Sequence, residues 1–187
     1  MLNYNSSIKE GKSYTGLIIK EIYPIMKLNL RGKSRDFLST IGKNINMILP
    51  LEANTSSSSD KYTSLWLSPD EWMIVSNDII NKENNYYEIE EVLFNKISKT
   101  NLGAITDVSD QFVLINLKGE KIFDLLSKGC PLNFNNFKTK KGAVAQTLLN
   151  QIDIIIHHKE LNNVNLFVRK SFSEHLMSWI NDAASRL

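Results

Sequence analysis

A chain of 187 residues, 42% of them hydrophobic, can bury a substantial core and falls within the range of a single domain. Its 22 basic and 20 acidic residues leave a net charge of +2, too little to give the concentrated basic field that nucleic acid would need. A lone cysteine excludes an internal disulfide, the first residues lack the apolar run of a secretory leader, and no stretch approaches a membrane span, so a cytoplasmic protein is expected.

In chain order, residues 1–15 are polar and are expected to form a loosely ordered lead-in. Leu17 to Tyr23 and Ile25 to Leu30 read as short strands, separated by Pro24, which cannot donate to a ladder. A first helix follows Gly32, carries Phe37 and Leu38, and stops at Gly42. Leu49 to Lys61, with Pro50, Asn54 and the run Ser56 to Ser59, has the composition of a mobile surface loop. Leu65 to Leu67 and Trp72 to Val75 read as a hairpin, because Pro69-Asp70 suits the centre of a tight turn. After a polar loop from Asp78 to Asn85, a helix is expected over Tyr87 to Ile97, with Ile89, Val92, Leu93 and Ile97 at helical spacing.

The stretch Asp107 to Leu132 is the most strongly patterned. Phe112 to Leu117 reads as a strand buried on both faces, Lys118-Gly119 as a turn, and Ile122, Phe123, Leu125 and Leu126 as one face of a helix that Gly129 and Pro131 end. Ala143 to Leu149 and Ile152 to Ile156 form a strand pair around Asn150-Gln151, and Leu166 to Val168 is a further short strand. Ser171 and Glu174 have capping-box spacing ahead of a helix carrying Leu176, Trp179 and Ile180.

Sliding the chain by 87 residues lays Gly16, Asn29, Leu30, Gly32, Leu38 and Gly42 over Gly103, Asn116, Leu117, Gly119, Leu125 and Gly129. Glycines that bracket a helix mark where the backbone must turn, so one strand-turn-helix is read twice. The expected fold is α+β, a single domain over residues 1–187. Its halves, 16–102 and 103–187, would each be a β-α-β-β-α, split β-α-β or ferredoxin-like unit.

Fragments that suggest chemistry have plainer readings beside them. Gly11-Lys12-Ser13 and Gly32-Lys33-Ser34 resemble the end of a phosphate loop, but Ser6 and Lys27 stand where its first glycine is required, and a helix start suits the second better. Asn5-Ser6-Ser7 and Asn54-Thr55-Ser56 match the glycosylation pattern, which has no consequence in an unsecreted chain. Cys130 would need a base among His157, His158 and His175 to act as a nucleophile. His157 and His158 close a strand facing opposite ways, so they cannot share a metal. Asp70, Glu71, Asp107 and Asp110 are the acid candidates, against which Asp70 and Asp107 or Ser109 are ordinary turn residues. No catalytic, cofactor-binding or metal-binding residue is assigned.

LSPDEWMIV at Leu67 to Val75, TDVSDQFVLINLKG at Thr106 to Gly119, LLSKGCPLNF at Leu125 to Phe134, AQTLL at Ala145 to Leu149 and VRKSFSEHLMSWINDA at Val168 to Ala183 resemble the gamma subunit of heterotetrameric sarcosine oxidase. The resemblance implies a fold similar to the folate-binding domain of aminomethyltransferases. It also implies an oxidoreductase complex, active on CH-NH donors, that demethylates sarcosine to glycine. In that complex the alpha, beta and delta subunits hold FAD, FMN, NAD, tetrahydrofolate and zinc, and the gamma chain holds none. This chain would dock mainly on alpha, with Trp66 and Trp72 as interface candidates whose side chains need not share a face, so that only one of them need reach the partner. Two alternatives are a gamma-type subunit of an N-methylglutamate dehydrogenase-like complex and a free-standing folate-binding one-carbon transferase.

Overall fold

The computed structural model describes Ser6, Ile8, residues 11–80 and residues 87–187. Its elements in chain order are β1 (Lys12–Tyr14), β2 (Leu17–Glu21), β3 (Lys27–Arg31), α1 (Arg35–Ile45), β4 (Ser56–Ser58), β5 (Tyr62–Ser68), β6 (Glu71–Ser76), α2 (Tyr87–Leu93), β7 (Ala104–Asp107), β8 (Phe112–Lys118), α3 (Ile122–Ser127), α4 (Phe134–Phe137), β9 (Val144–Leu149), β10 (Ile152–Glu160), β11 (Asn163–Arg169) and α5 (Ser173–Ala184). The chain is mixed α and β with two antiparallel sheets, and it divides into two compact units: Pro24–Asp110, and Met1–Tyr23 together with Gln111–Leu187.

The unit Pro24–Asp110 holds the sheet β4-β5-β6-β3-β7. Ser34 starts α1 as the helix-start reading requires, its Oγ accepting from the Phe37 N–H at 3.0 Å, and Asn46 ends it in the left-handed conformation at φ 50°. Phe37, Ile41 and Ile45 then fall on one face and pack with Leu28, Leu30, Trp72, Ile74 and Ile105 from the sheet and Leu93 and Ile97 from the second helix. That second helix continues past Leu93 with π-type hydrogen bonding over Phe94–Ser98. β3, α1, β5, β6, α2 and β7 follow the β-α-β-β-α-β order of the split β-α-β plan.

The other unit holds the sheet β1-β2-β8-β11-β10-β9. β8 is buried from Val113 through Leu117, matching the two-sided burial expected of its apolar run. Val113, Ile115 and Leu117 join Leu17, Ile19, Val164, Leu166, Val168, Ile154 and Ile156 on the face covered by Leu125 of α3 and by Leu176 and Ile180 of α5. On the opposite face Leu114, Asn116, Ile155, His157 and Phe167 are buried as well. Asn150-Gln151 forms the expected two-residue turn, with φ 49° and 66°.

Two glycines stand where backbone segments approach closely. Gly119 follows β8 at φ 134°, and a Cβ there would collide with the Gly16 carbonyl where β2 begins. In the other unit a Cβ on Gly103, just before β7, would collide with the Arg31 carbonyl at the end of β3.

Several expectations are corrected. Ser56 to Ser58 is a strand, because the ladder to β5 is reinforced by Ser57 Oγ donating to the Ile48 carbonyl and by Ser58 meeting Thr63 at 3.1 Å. Lys12–Tyr14 of the expected lead-in is β1, paired with β2, while residues 1–5, 7, 9 and 10 lie outside the described residues, as do 81–85 of the expected polar loop. β10 runs on through both histidines, and β11 is seven residues long. Ser171 does not cap α5. It lies in a 3-10 turn over Lys170–Phe172, and Ser173 Oγ donates back to the Lys170 carbonyl. The stretch 16–102 runs β-β-α-β-β-β-α and 103–187 runs β-β-α-α-β-β-β-α, rather than the expected β-α-β-β-α in each.

Candidate functional site

The two tryptophans proposed for an interface stand directly opposite each other on β5 and β6, so their side chains share one face. That face is the one packed against the helices. Trp72 is 1% exposed, its Nε1–H donates to the Pro50 carbonyl at 2.8 Å, and its ring lies 6.1 Å from Phe37. It is a core residue of the unit Pro24–Asp110, and meeting a partner would require opening that core. Trp66 is half-buried at the margin of the same cluster and keeps an accessible edge.

The acid candidates sit in turn and ladder roles. Asp70 accepts from Ser68 Oγ at 2.7 Å across the hairpin end, and Glu71 pairs with Arg31 at 2.9 Å while accepting from Asn29 at 2.7 Å. Asp107 accepts from the Ser109 N–H at 2.8 Å, and Ser109 Oγ in turn accepts from the Lys27 N–H at 2.9 Å. Sequence reasoning missed the effect of this aspartate on α2. Partial burial, and then the Asp107 carboxylate, push the Glu90 carboxyl above its usual range.

Cys130 is buried, with its Sγ 3.7 Å from Thr147 Oγ1, and His175 is exposed on α5. His157 and His158 point to opposite faces, as expected of strand neighbours, but inside β10 rather than at its end. Burial, reinforced by the Lys159 and His158 charges, lowers His157 to about 4, so it is neutral at physiological pH. His158 sits in a phenylalanine box, its ring 5.6 Å from Phe123 and 6.0 Å from Phe137. Its Nδ1 lies 2.8 Å from the Lys140 carbonyl and donates to it, and its Nε2 is buried with no hydrogen-bond partner among the described residues.

Gly32-Lys33-Ser34 opens α1, and Gly11-Lys12-Ser13 enters β1. The surface carries an open concavity of about 660 Å³ along α1 and another of about 370 Å³ beside Phe112, Asp153 and Arg169. Neither is lined by a histidine or by the cysteine. Among the described residues no group of three or more His, Cys, Asp or Glu could hold a metal, and no helix is long and apolar enough to cross a membrane.

Among solved structures, the chain is similar to one from the heterotetrameric sarcosine oxidase of Corynebacterium sp. U-96, in complex with pyrrole 2-carboxylate. The two are 20% identical with a TM-score of 0.80, aligned over 91% of this chain and 84% of that one, which establishes the fold. Weaker likenesses to the aspartate kinase of Clostridium acetobutylicum (14% identity, TM-score 0.45, 92% of this chain and 35% of that one) and to a C-terminal regulatory domain of aspartate kinase from Porphyromonas gingivalis (12%, 0.40, 90% and 95%) carry no argument. No curated protein matches at a significant level. The family model described as sarcosine oxidase, gamma subunit family matches residues 31–186, and the chain belongs to that family.

Proposed function

We propose that this chain is the non-catalytic gamma subunit of a cytoplasmic heterotetrameric sarcosine oxidase, docking on and stabilising the alpha subunit. The observation that carries this reading is the family match over residues 31–186. The roles of the chemistry-bearing residues agree with it: Asp70 and Asp107 hold turns, Glu71 pairs with Arg31, and Cys130, His157 and His158 are buried inside one unit. The flavins, NAD, tetrahydrofolate and zinc then belong to the alpha, beta and delta subunits, and sarcosine is demethylated to glycine there. Trp66 is the remaining aromatic candidate for the interface.

The halves 16–102 and 103–187 are read as two copies of one plan, similar to the folate-binding domain of aminomethyltransferases, within one domain. Support comes from β2, β3 and α1, followed in the second copy by β7, β8 and α3, with Leu17 and Ala104, 87 residues apart, opening the two series.

The test is to co-express the tagged chain with its complex and measure both subunit yield and turnover per bound flavin. The expected result is co-purification with flavin-bearing subunits. Variants of this chain should change yield without changing turnover per flavin. A variant that assembles fully yet loses turnover would overturn the non-catalytic role.

A further inference from the structure

One side of α1 carries an unusual surface. Arg35, Lys43 and Gly42 lie on α1 beside the buried face of Phe37, Ile41 and Ile45, and the half-buried Leu38 borders that face. The segment after the helix brings Ile48 and Leu51 beside them, and these are 84% and 68% exposed. Together they line the groove of about 660 Å³. Gly42 lies between them, and a Cβ there would stand 3.0 Å from the Met47 carbonyl of the segment that follows the helix. The two charged groups lining the groove are both cations, and no carboxylate lines it.

We propose that this groove is the docking site for a partner-subunit segment that carries apolar anchors flanked by carboxylates. The proposal rests on the gamma-subunit reading above and specifies its surface. Ile48 and Leu51 supply apolar area that is open to water in the free chain, which is the kind of patch that marks an interface. Arg35 and Lys43 sit along one helix face, so the complementary segment needs negative charge along its length, and its association slows as salt rises.

The experiment uses the full chain, co-expressed with the other subunits of its complex, in four forms: wild type, Ile48→Ser with Leu51→Ser, Arg35→Glu with Lys43→Glu, and the control Leu161→Ser. Leu161 is 81% exposed on the β10–β11 turn, in the other unit. Thermal unfolding of each isolated chain is measured alongside and is expected to be unchanged, since the substituted side chains are exposed. Recovery of the complex is expected to fall about tenfold or more for both groove variants and to stay at the wild-type level for the control. If wild type assembles and both groove variants assemble equally well, the groove assignment is overturned while the docking reading stands. If wild type itself does not assemble with the other subunits, the docking reading fails first. If the isolated chain is a dimer that Ile48→Ser with Leu51→Ser converts to a monomer, the occupant is a second copy and the proposal is overturned.

Discussion

Replacing Trp72 separates a core residue from an interface anchor. Its side chain is 1% exposed, packs against Phe37 and donates to the Pro50 carbonyl, so Trp72→Ala removes a large ring and leaves that carbonyl without its donor. Truncating a buried aromatic costs about 3–5 kcal/mol, a figure that already includes the cavity left behind. Trp72→Phe keeps most of the ring and loses the N–H, at about 1–3 kcal/mol for the unsatisfied carbonyl. With a urea slope of about 2 kcal/mol/M, the alanine variant should unfold at a midpoint about 2 M lower and the phenylalanine variant about 1 M lower. Urea titration of the purified chain followed by circular dichroism reads both. Trp72→Phe should still join the complex at wild-type yield, because no part of the indole faces outward. Unchanged stability of Trp72→Ala together with lost assembly would refute this reasoning and place the ring at the interface.

Two further outcomes follow from the same geometry. His157 is held at about 4, below the ordinary histidine value near 6.5, so the unfolded chain takes up a proton that the folded chain refuses. Its contribution is therefore complete above about pH 6.5 and lost as the pH falls toward 4, by about 3 kcal/mol in all; His157→Gln should show a correspondingly flatter decline in urea stability over that window, and identical slopes would reject the assignment. The fragment 24–110 retains every strand pair of the five-stranded sheet, whereas 1–102 lacks β7 and leaves β2 without β8. The first should be the more stable in urea, and a more stable 1–102 would contradict the strand assignment.

Elements with a dense apolar signal were legible. β8 and α3 follow from a continuous apolar run, a turn and a helical stripe, and Ser34 follows from its position ahead of Phe37. β4 was not, because three serines carry little strand preference and are held by cross-strand partners remote in sequence. The full length of β10 and β11 was hidden by polar residues that are nonetheless buried: Asn116 donates to Asn163 and to Asn165, each at 2.7 Å, and His157 stands opposite Asn165. The burial of Trp72 was invisible for a related reason. A strand pattern gives alternation, but Trp66 and Trp72 share a face through register, and only register decides which face receives the helices. The groove beside α1 left no periodic trace, since Ile48 and Leu51 lie outside any regular element.

Sheet membership was the deepest gap, and its cause is topological. β2 and β3 are neighbours in sequence yet belong to different sheets, as do β7 and β8, and the unit boundaries fall between Tyr23 and Pro24 and between Asp110 and Gln111. Pro24 suits such a crossing, because a residue without an N–H cannot continue a ladder. Each leading strand therefore closes the sheet of the other sequence half: β2 against β8, and β7 against β3. Close backbone approaches occur in both sheets, Gly119 against Gly16 in one and Gly103 against Arg31 in the other. The 87-residue spacing does not indicate which strands share a sheet: β2 and β3 fall in different sheets, as do β7 and β8. Local pattern encodes where a strand starts and turns, whereas the choice of partner strand lies in backbone approaches between residues far apart in the chain.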